Sequence, residues 1–138
     1  MKDPRREAGR WIEQARMDLE AVRTIAGQGL WWIACFQAQQ AAEKAVKAFL
    51  YSSGERMVLG HSVAELVGRA ASEDSSFGDL KPAGVQLDRF YIPTRYPNGL
   101  PGGIPAESYS EADAQSALQL AERVMAFVGK KLGTLGSE

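Results

Sequence analysis

Residues 34–50 read ACFQAQQAAEKAVKAFL. Extended back to Leu30 and on to Gly54, the segment keeps one period throughout. On a wheel of 3.6 residues per turn, Trp31, Ala34, Cys35, Ala38, Ala41, Ala42, Ala45, Val46 and Phe49 fill one broad arc. Gln37, Gln40, Glu43, Lys44 and Lys47 share the opposite arc. The apolar arc is wider than one neighbouring helix needs, and its alanines let backbones approach closely. The spacing predicts a central helix over about 30–53 that touches several partners, with Gly54 as its stop. The polar arc has two readings. It is a solvated face with a favourable Glu43–Lys47 i,i+4 pair, or it makes polar contacts to helix four or to a second subunit.

The flanking sequence is also helical. Asp3 is an N-cap with Pro4 at the first helical position, and Trp11/Ile12, Ala15, Leu19, Val22 and Ile25/Ala26 recur at helical spacing. This is helix one, about 4–26. Ser62 and Glu65 have capping-box spacing and start a short helix three that reaches about Ala71. The stretch SEDSSFGD is read as a polar connection. Helix four is expected from Leu80 to Tyr91, with Pro82 in its first turn and Pro93 ending it. Four prolines and three glycines between Ile92 and Tyr109 predict a long loop, of the kind that is functional or disordered in compact domains. Ser110, with Asp113 three residues on, caps helix five, whose apolar stripe runs from Ala114 to Leu132.

The fold class is therefore all-α: an up-and-down antiparallel bundle of four long helices plus one short one, with a Pro/Gly-rich loop before the last helix. Residues 4–132 form one domain, and 133–138 are expected to be a flexible tail.

Composition removes several kinds of chemistry. The chain has 138 residues, 16 basic and 17 acidic, for a net charge of -1, so a strongly basic nucleic-acid footprint is absent and only a local patch remains open. There is one cysteine, Cys35, and one histidine, His61. A single chain cannot assemble a Cys/His zinc site or an internal disulfide from these. Any His-dependent nucleophile would have to use His61. No Gly-rich phosphate loop is present, and no metal or cofactor is implied. Without a signal core or a membrane-length apolar run, a soluble, cytoplasmic protein is expected.

The segment LDRFYIPTRYPNGLP, residues 87–101, stands out. Its arginines, Arg89 and Arg95, suit bidentate phosphate recognition, and Tyr91 and Tyr96 suit base stacking. The competing readings are structural. Arg89 would pair with an acidic residue on helix four, Arg95 would tie the loop to the bundle, and the tyrosines, Tyr109 included, would pack their rings on it. His61, just before a capping Ser, reads as a cap or packing residue, or else as a general base. Of the neighbours Trp31 and Trp32, about 100° apart on the helix, only one can face the core. The other is a candidate for a subunit interface.

Taken in order, WIEQARMDLEAV, ACFQAQQAAEKAVKAFL, GHSVAEL, LDRFYIPTRYP and YSEADAQSALQLAERVMAFV resemble the HEPN domain family (higher eukaryotes and prokaryotes nucleotide-binding), over about residues 8–132. The resemblance is to a branch with an IPTRYP segment. It implies an all-helical bundle, commonly a homodimer, that associates with RNA or nucleotides. It also implies a small nucleotidyltransferase partner in a toxin–antitoxin-type pair, with Tyr96 the tyrosine to inspect for modification. Many members are metal-independent RNases marked by Arg-x4-6-His. Here Arg89 is followed by Phe-Tyr-Ile-Pro-Thr-Arg and Arg95 by Tyr-Pro-Asn-Gly-Leu-Pro, so that motif is absent. Three functions follow: a binding module using Arg89, Tyr91, Arg95 and Tyr96; an RNase with a non-standard site around Arg95; or a purely structural interaction protein. The motif's absence favours a non-enzyme.

Overall fold

The structure is a computed structural model that describes residues 3–136, with side chains as far as Gly133. It is all-α. The helices are α1 (Pro4–Gly27), α2 (Trp31–Ser52), α3 (Val63–Glu73), α4 (Lys81–Asp88), α5 (Pro105–Ser108) and α6 (Glu111–Gly136). Among the described residues, no helix is long and apolar enough to cross a membrane.

Local signals start the helices as expected. Asp3 accepts from the Arg5 amide at 3.0 Å ahead of Pro4. Ser110 and Asp113 exchange both bonds of a capping box: the Ser110 amide donates to Asp113 at 2.8 Å, and the Asp113 amide donates to the Ser110 hydroxyl at 3.2 Å.

The long helix α2 sits centrally and packs against α1, α6, α3, α4 and α5. Ala34, Ala38, Ala41, Ala42, Ala45 and Ala48 are fully buried, so the wide alanine arc is filled by neighbouring backbones. Cys35 lies in the same core, where burial and then the nearby Asp113 charge push its thiol up to about 12. Such a thiol is inert.

The region between α2 and α6 departs from expectation. In place of a fourth long helix, α3 and α4 form a short hairpin. Gly84 makes their close contact possible, because a Cβ there would lie 2.9 Å from the backbone of Ala64. The SEDSSFGD stretch is not a plain polar connection. It forms a 3-10 turn over Ser75–Leu80 that buries Phe77 completely between Phe49 and Phe127. Helix α4 ends at Asp88, three residues early. The amides of Phe90 and Tyr91 bond three residues back, to Leu87 and Asp88, which tightens the chain into turns before Pro93 is reached. At the other end of the chain, α6 continues to Gly136. It thus runs into the stretch 133–138 expected as a flexible tail, of which 137–138 lie outside the described residues.

Asp88 explains why α4 stops where it does. Its carboxylate accepts from the Ser62 hydroxyl at 2.6 Å, the Val63 amide at 2.6 Å and the Ala64 amide at 3.3 Å. The expected Ser62 cap forms, with the Glu65 amide donating to its hydroxyl at 3.0 Å. The carboxylate that completes the N-terminus comes from α4 rather than from Glu65. These three bonds fix the end of α4 against the start of α3, and so fix the root of the 87–101 segment.

Candidate functional site

After Asp88 the chain runs through consecutive tight turns. The Thr94 hydroxyl donates to the Phe90 carbonyl at 2.6 Å, and the Arg95 amide donates to the Ile92 carbonyl at 3.0 Å. Thr94 is buried, and Gly99 lies so close to Pro93 that a Cβ there would stand 2.9 Å from the Pro93 Cα. The 92–99 stretch is thus a packed loop.

This packing presents Arg95 in a defined pose. Its Nε donates to the Tyr91 carbonyl at 2.7 Å. Its guanidinium carbon lies 4.3 Å from the ring centre of Tyr91, 4.8 Å from that of Phe36 and 5.1 Å from that of Tyr96. Three aromatic faces around one cation favour the charge through their quadrupoles. Among the described residues Arg95 makes no ion pair, and its two terminal nitrogens make no hydrogen bond. A half-buried, oriented guanidinium with four free N–H groups is suited to an anion.

The one histidine joins the same cluster. The His61 ring stacks on Tyr91 with centres 4.9 Å apart and planes at 18°. Its Nδ1 lies 3.3 Å from Glu43 Oε2, and its carbonyl accepts from Gln39 Nε2 at 2.7 Å. Glu43 also accepts from Lys47 Nζ at 2.9 Å and from Gln40 Nε2 at 3.2 Å. The side chains of Glu43 and Lys47 are only 5% and 7% exposed, whereas His61 is 59% exposed. Lys47 in turn lies 5.7 Å from the Trp11 ring, which stacks on Tyr51.

The expected solvated face of α2 is therefore corrected. Phe36, Gln40, Glu43 and Lys47 follow helical spacing and form a largely buried stripe covered by α1, His61 and Tyr91. Lys44 turns to α1 and pairs with Asp18 at 2.6 Å.

Of the four site residues read from the sequence, the structure brings Tyr91, Arg95 and Tyr96 together. Arg89 stands apart. It is exposed and makes no side-chain hydrogen bond or ion pair among the described residues, so the expected pairing on helix four is absent. Tyr91 packs its ring in the cluster, whereas Tyr96 is 50% exposed. Tyr109 packs edge-on against Phe90, and burial raises its hydroxyl pKa above the ordinary value. Trp31 packs on the core, while Trp32 turns toward the proline loop.

Sequence reasoning missed Phe36, and it left His61, Glu43 and Lys47 without a shared role. The available signal was the mixed stripe at 36, 40, 43 and 47, whose charges sit too close to an aromatic to be a plain solvated face. Away from Arg95, a cleft of about 760 Å³ runs along α1 past Arg6, Arg10, Trp11 and Lys44. There Arg10 and Lys44 pair with Glu7 and Asp18, and the remaining lining mixes Arg6 with Glu13.

Fold and site define an all-α bundle whose packed loop carries an unpaired arginine among aromatic rings. The HEPN domain model matches this chain over residues 8–132, and the chain belongs to that family. The protein named "Putative toxin MJ1304" from Methanocaldococcus jannaschii is 29% identical over 123 residues, covering 83% of this chain and 81% of its own length. The crystal structure of TT1696 from Thermus thermophilus is 40% identical with a TM-score of 0.85, covering 91% of this chain and 98% of that one. That of ST0689, an archaeal HEPN homologue, is 35% identical with a TM-score of 0.77, covering 96% and 99%.

Proposed function

We propose that this chain is a HEPN module that binds RNA or a nucleotide through Arg95. It works as a homodimer beside a small nucleotidyltransferase in a toxin–antitoxin-type pair. The observation that carries the reading is the Arg95 guanidinium, held by the Tyr91 carbonyl and the rings of Phe36, Tyr91 and Tyr96, and free of any carboxylate among the described residues. A phosphate would take its terminal nitrogens, and the exposed Tyr96 would meet an adjoining base. The toxin name of the Methanocaldococcus relative supports the paired role. Tyr96, exposed beside the anion site, is the tyrosine a partner transferase would modify. Sedimentation at micromolar concentration is expected to return a dimer, and a monomer refutes the homodimer.

One observation favours a second reading, a metal-independent RNase. The buried Glu43 carboxylate meets His61 at Nδ1, which holds the ring by one nitrogen and leaves most of the side chain exposed. In that chemistry His61 takes the proton of a ribose 2′-hydroxyl, and the oxygen attacks the adjacent phosphorus. The 5′-oxygen then leaves with a proton from solvent, giving a 2′,3′-cyclic phosphate and a 5′-hydroxyl end.

Incubating nuclease-free protein with end-labelled single-stranded RNA separates the two. The module binds without cutting and loses binding in Arg95→Ala. The enzyme cuts, and loses cutting in both Arg95→Ala and His61→Ala. If the RNA is neither bound nor cut, both readings fall.

A further inference from the structure

Beside Arg95 lies a cleft of about 440 Å³, within the usual size range of small-molecule sites. Its walls include Trp32, Phe36, Arg95, Ile104 and Pro105. Among the described residues, Arg95 is the one charged residue that lines it. The rings of Phe36 and Tyr91 are already engaged, by Arg95 and by each other at 6.2 Å. Trp32 is different. It is half-buried, and among the described residues it makes no ring contact and its indole N–H has no hydrogen-bond partner. The cleft lining therefore combines an indole that has no partner among the described residues with a guanidinium whose two terminal nitrogens make no hydrogen bond there, in otherwise mostly apolar surroundings.

We infer that this cleft holds a single nucleotide unit, with the base against Trp32 and the phosphate on the terminal nitrogens of Arg95. The inference rests on the proposed binding role of Arg95 and deepens it by assigning the base a place. A flat, apolar-faced ring carrying one anionic group matches this lining better than phosphate alone, which would leave the apolar wall bare. Thr94, the other polar side chain at the cleft, spends its hydroxyl proton on the Phe90 carbonyl. Among the described residues that line the cleft, the indole N–H is then the one side-chain donor besides Arg95 without a partner. One donor cannot tell four bases apart, so the site accepts all four with similar affinity.

Calorimetric titration of the full chain with adenosine, guanosine, cytidine and uridine monophosphates tests this, with ribose 5-phosphate as the base-free control. Stacking on one aromatic corresponds to about 5- to 150-fold in affinity. The nucleotides are expected to exceed ribose 5-phosphate within that range. Trp32→Ala should abolish the advantage of the nucleotides over ribose 5-phosphate, and Trp32→Phe should keep most of it. Arg95→Ala should weaken nucleotides and ribose 5-phosphate alike. Nucleotides binding no better than ribose 5-phosphate overturn the inference, as does an advantage that survives Trp32→Ala in a folded variant. If Arg95-dependent RNA binding persists while Trp32→Ala changes nothing, the base site falls and the binding module stands. If no phosphate probe responds to Arg95→Ala, both fall together.

Discussion

Replacing Lys47 by Met tests whether the polar stripe of α2 is a buried network or a surface ornament. Lys47 and Glu43 are 2.9 Å apart, with side chains 7% and 5% exposed. Removing one partner of a buried ion pair leaves a desolvated charge and costs about 3–5 kcal/mol. Glu43 would keep Gln40 and His61 as neighbours at 3.2 and 3.3 Å, which places the expected loss near the lower end, about 3 kcal/mol. For a chain of this size that lowers the melting temperature by about 6–12 °C. Urea unfolding followed by far-ultraviolet circular dichroism measures the loss directly. The double variant Glu43→Gln/Lys47→Met removes both charges and should recover about 2 kcal/mol of it, because no unpaired ion remains. A Lys47→Met loss below about 1 kcal/mol, or a double variant as unstable as the sum of the singles, would refute the buried-pair reasoning.

Two further outcomes follow from the hairpin and its anchor to α6. Asp88→Ala removes the acceptor of three hydrogen bonds at the start of α3 and should cost about 2–3 kcal/mol in urea unfolding, with Asp88→Asn losing less because one acceptor oxygen remains. Asp74 is held down to about 2, chiefly by its hydrogen bond from Lys131 and then by those from Ser76. Since that lies below its ordinary value of 3.8, its contribution is fully present above that value and is lost as pH falls through about 2. Wild-type stability measured across this window should fall more steeply than that of Asp74→Asn.

Most of the fold could be read from local sequence because its signals are local. Asp3-Pro4 and Ser110-x-x-Asp113 act within one turn, and the alanine arc of α2 needs only the helical period. What escaped depends on contacts distant in sequence. Phe77 looked like part of a polar link because its burial is provided by Phe49 and Phe127. The polar arc of α2 looked solvated because its covers, Trp11 and His61, come from elsewhere in the chain. Arg95, Tyr91 and Tyr96 were readable as a group because prolines fix the turns between them. Phe36 and His61 were not, since α2 and the start of α3 deliver them across the fold. The missing Arg-x4-6-His spacing was a true observation about the chain. It could not reveal that the histidine reaches Tyr91, and through it Arg95, by folding.

The dissociation constant for a short single-stranded RNA, measured by fluorescence anisotropy at one fixed salt concentration, tests the role given to Arg95 most directly. Losing a charge-assisted bond pair should weaken Arg95→Ala by about 10- to 100-fold relative to wild type. Arg95→Lys should fall between them, because lysine keeps the charge and loses the planar fork. Equal constants for wild type and Arg95→Ala, or no binding by the wild type, would contradict the account.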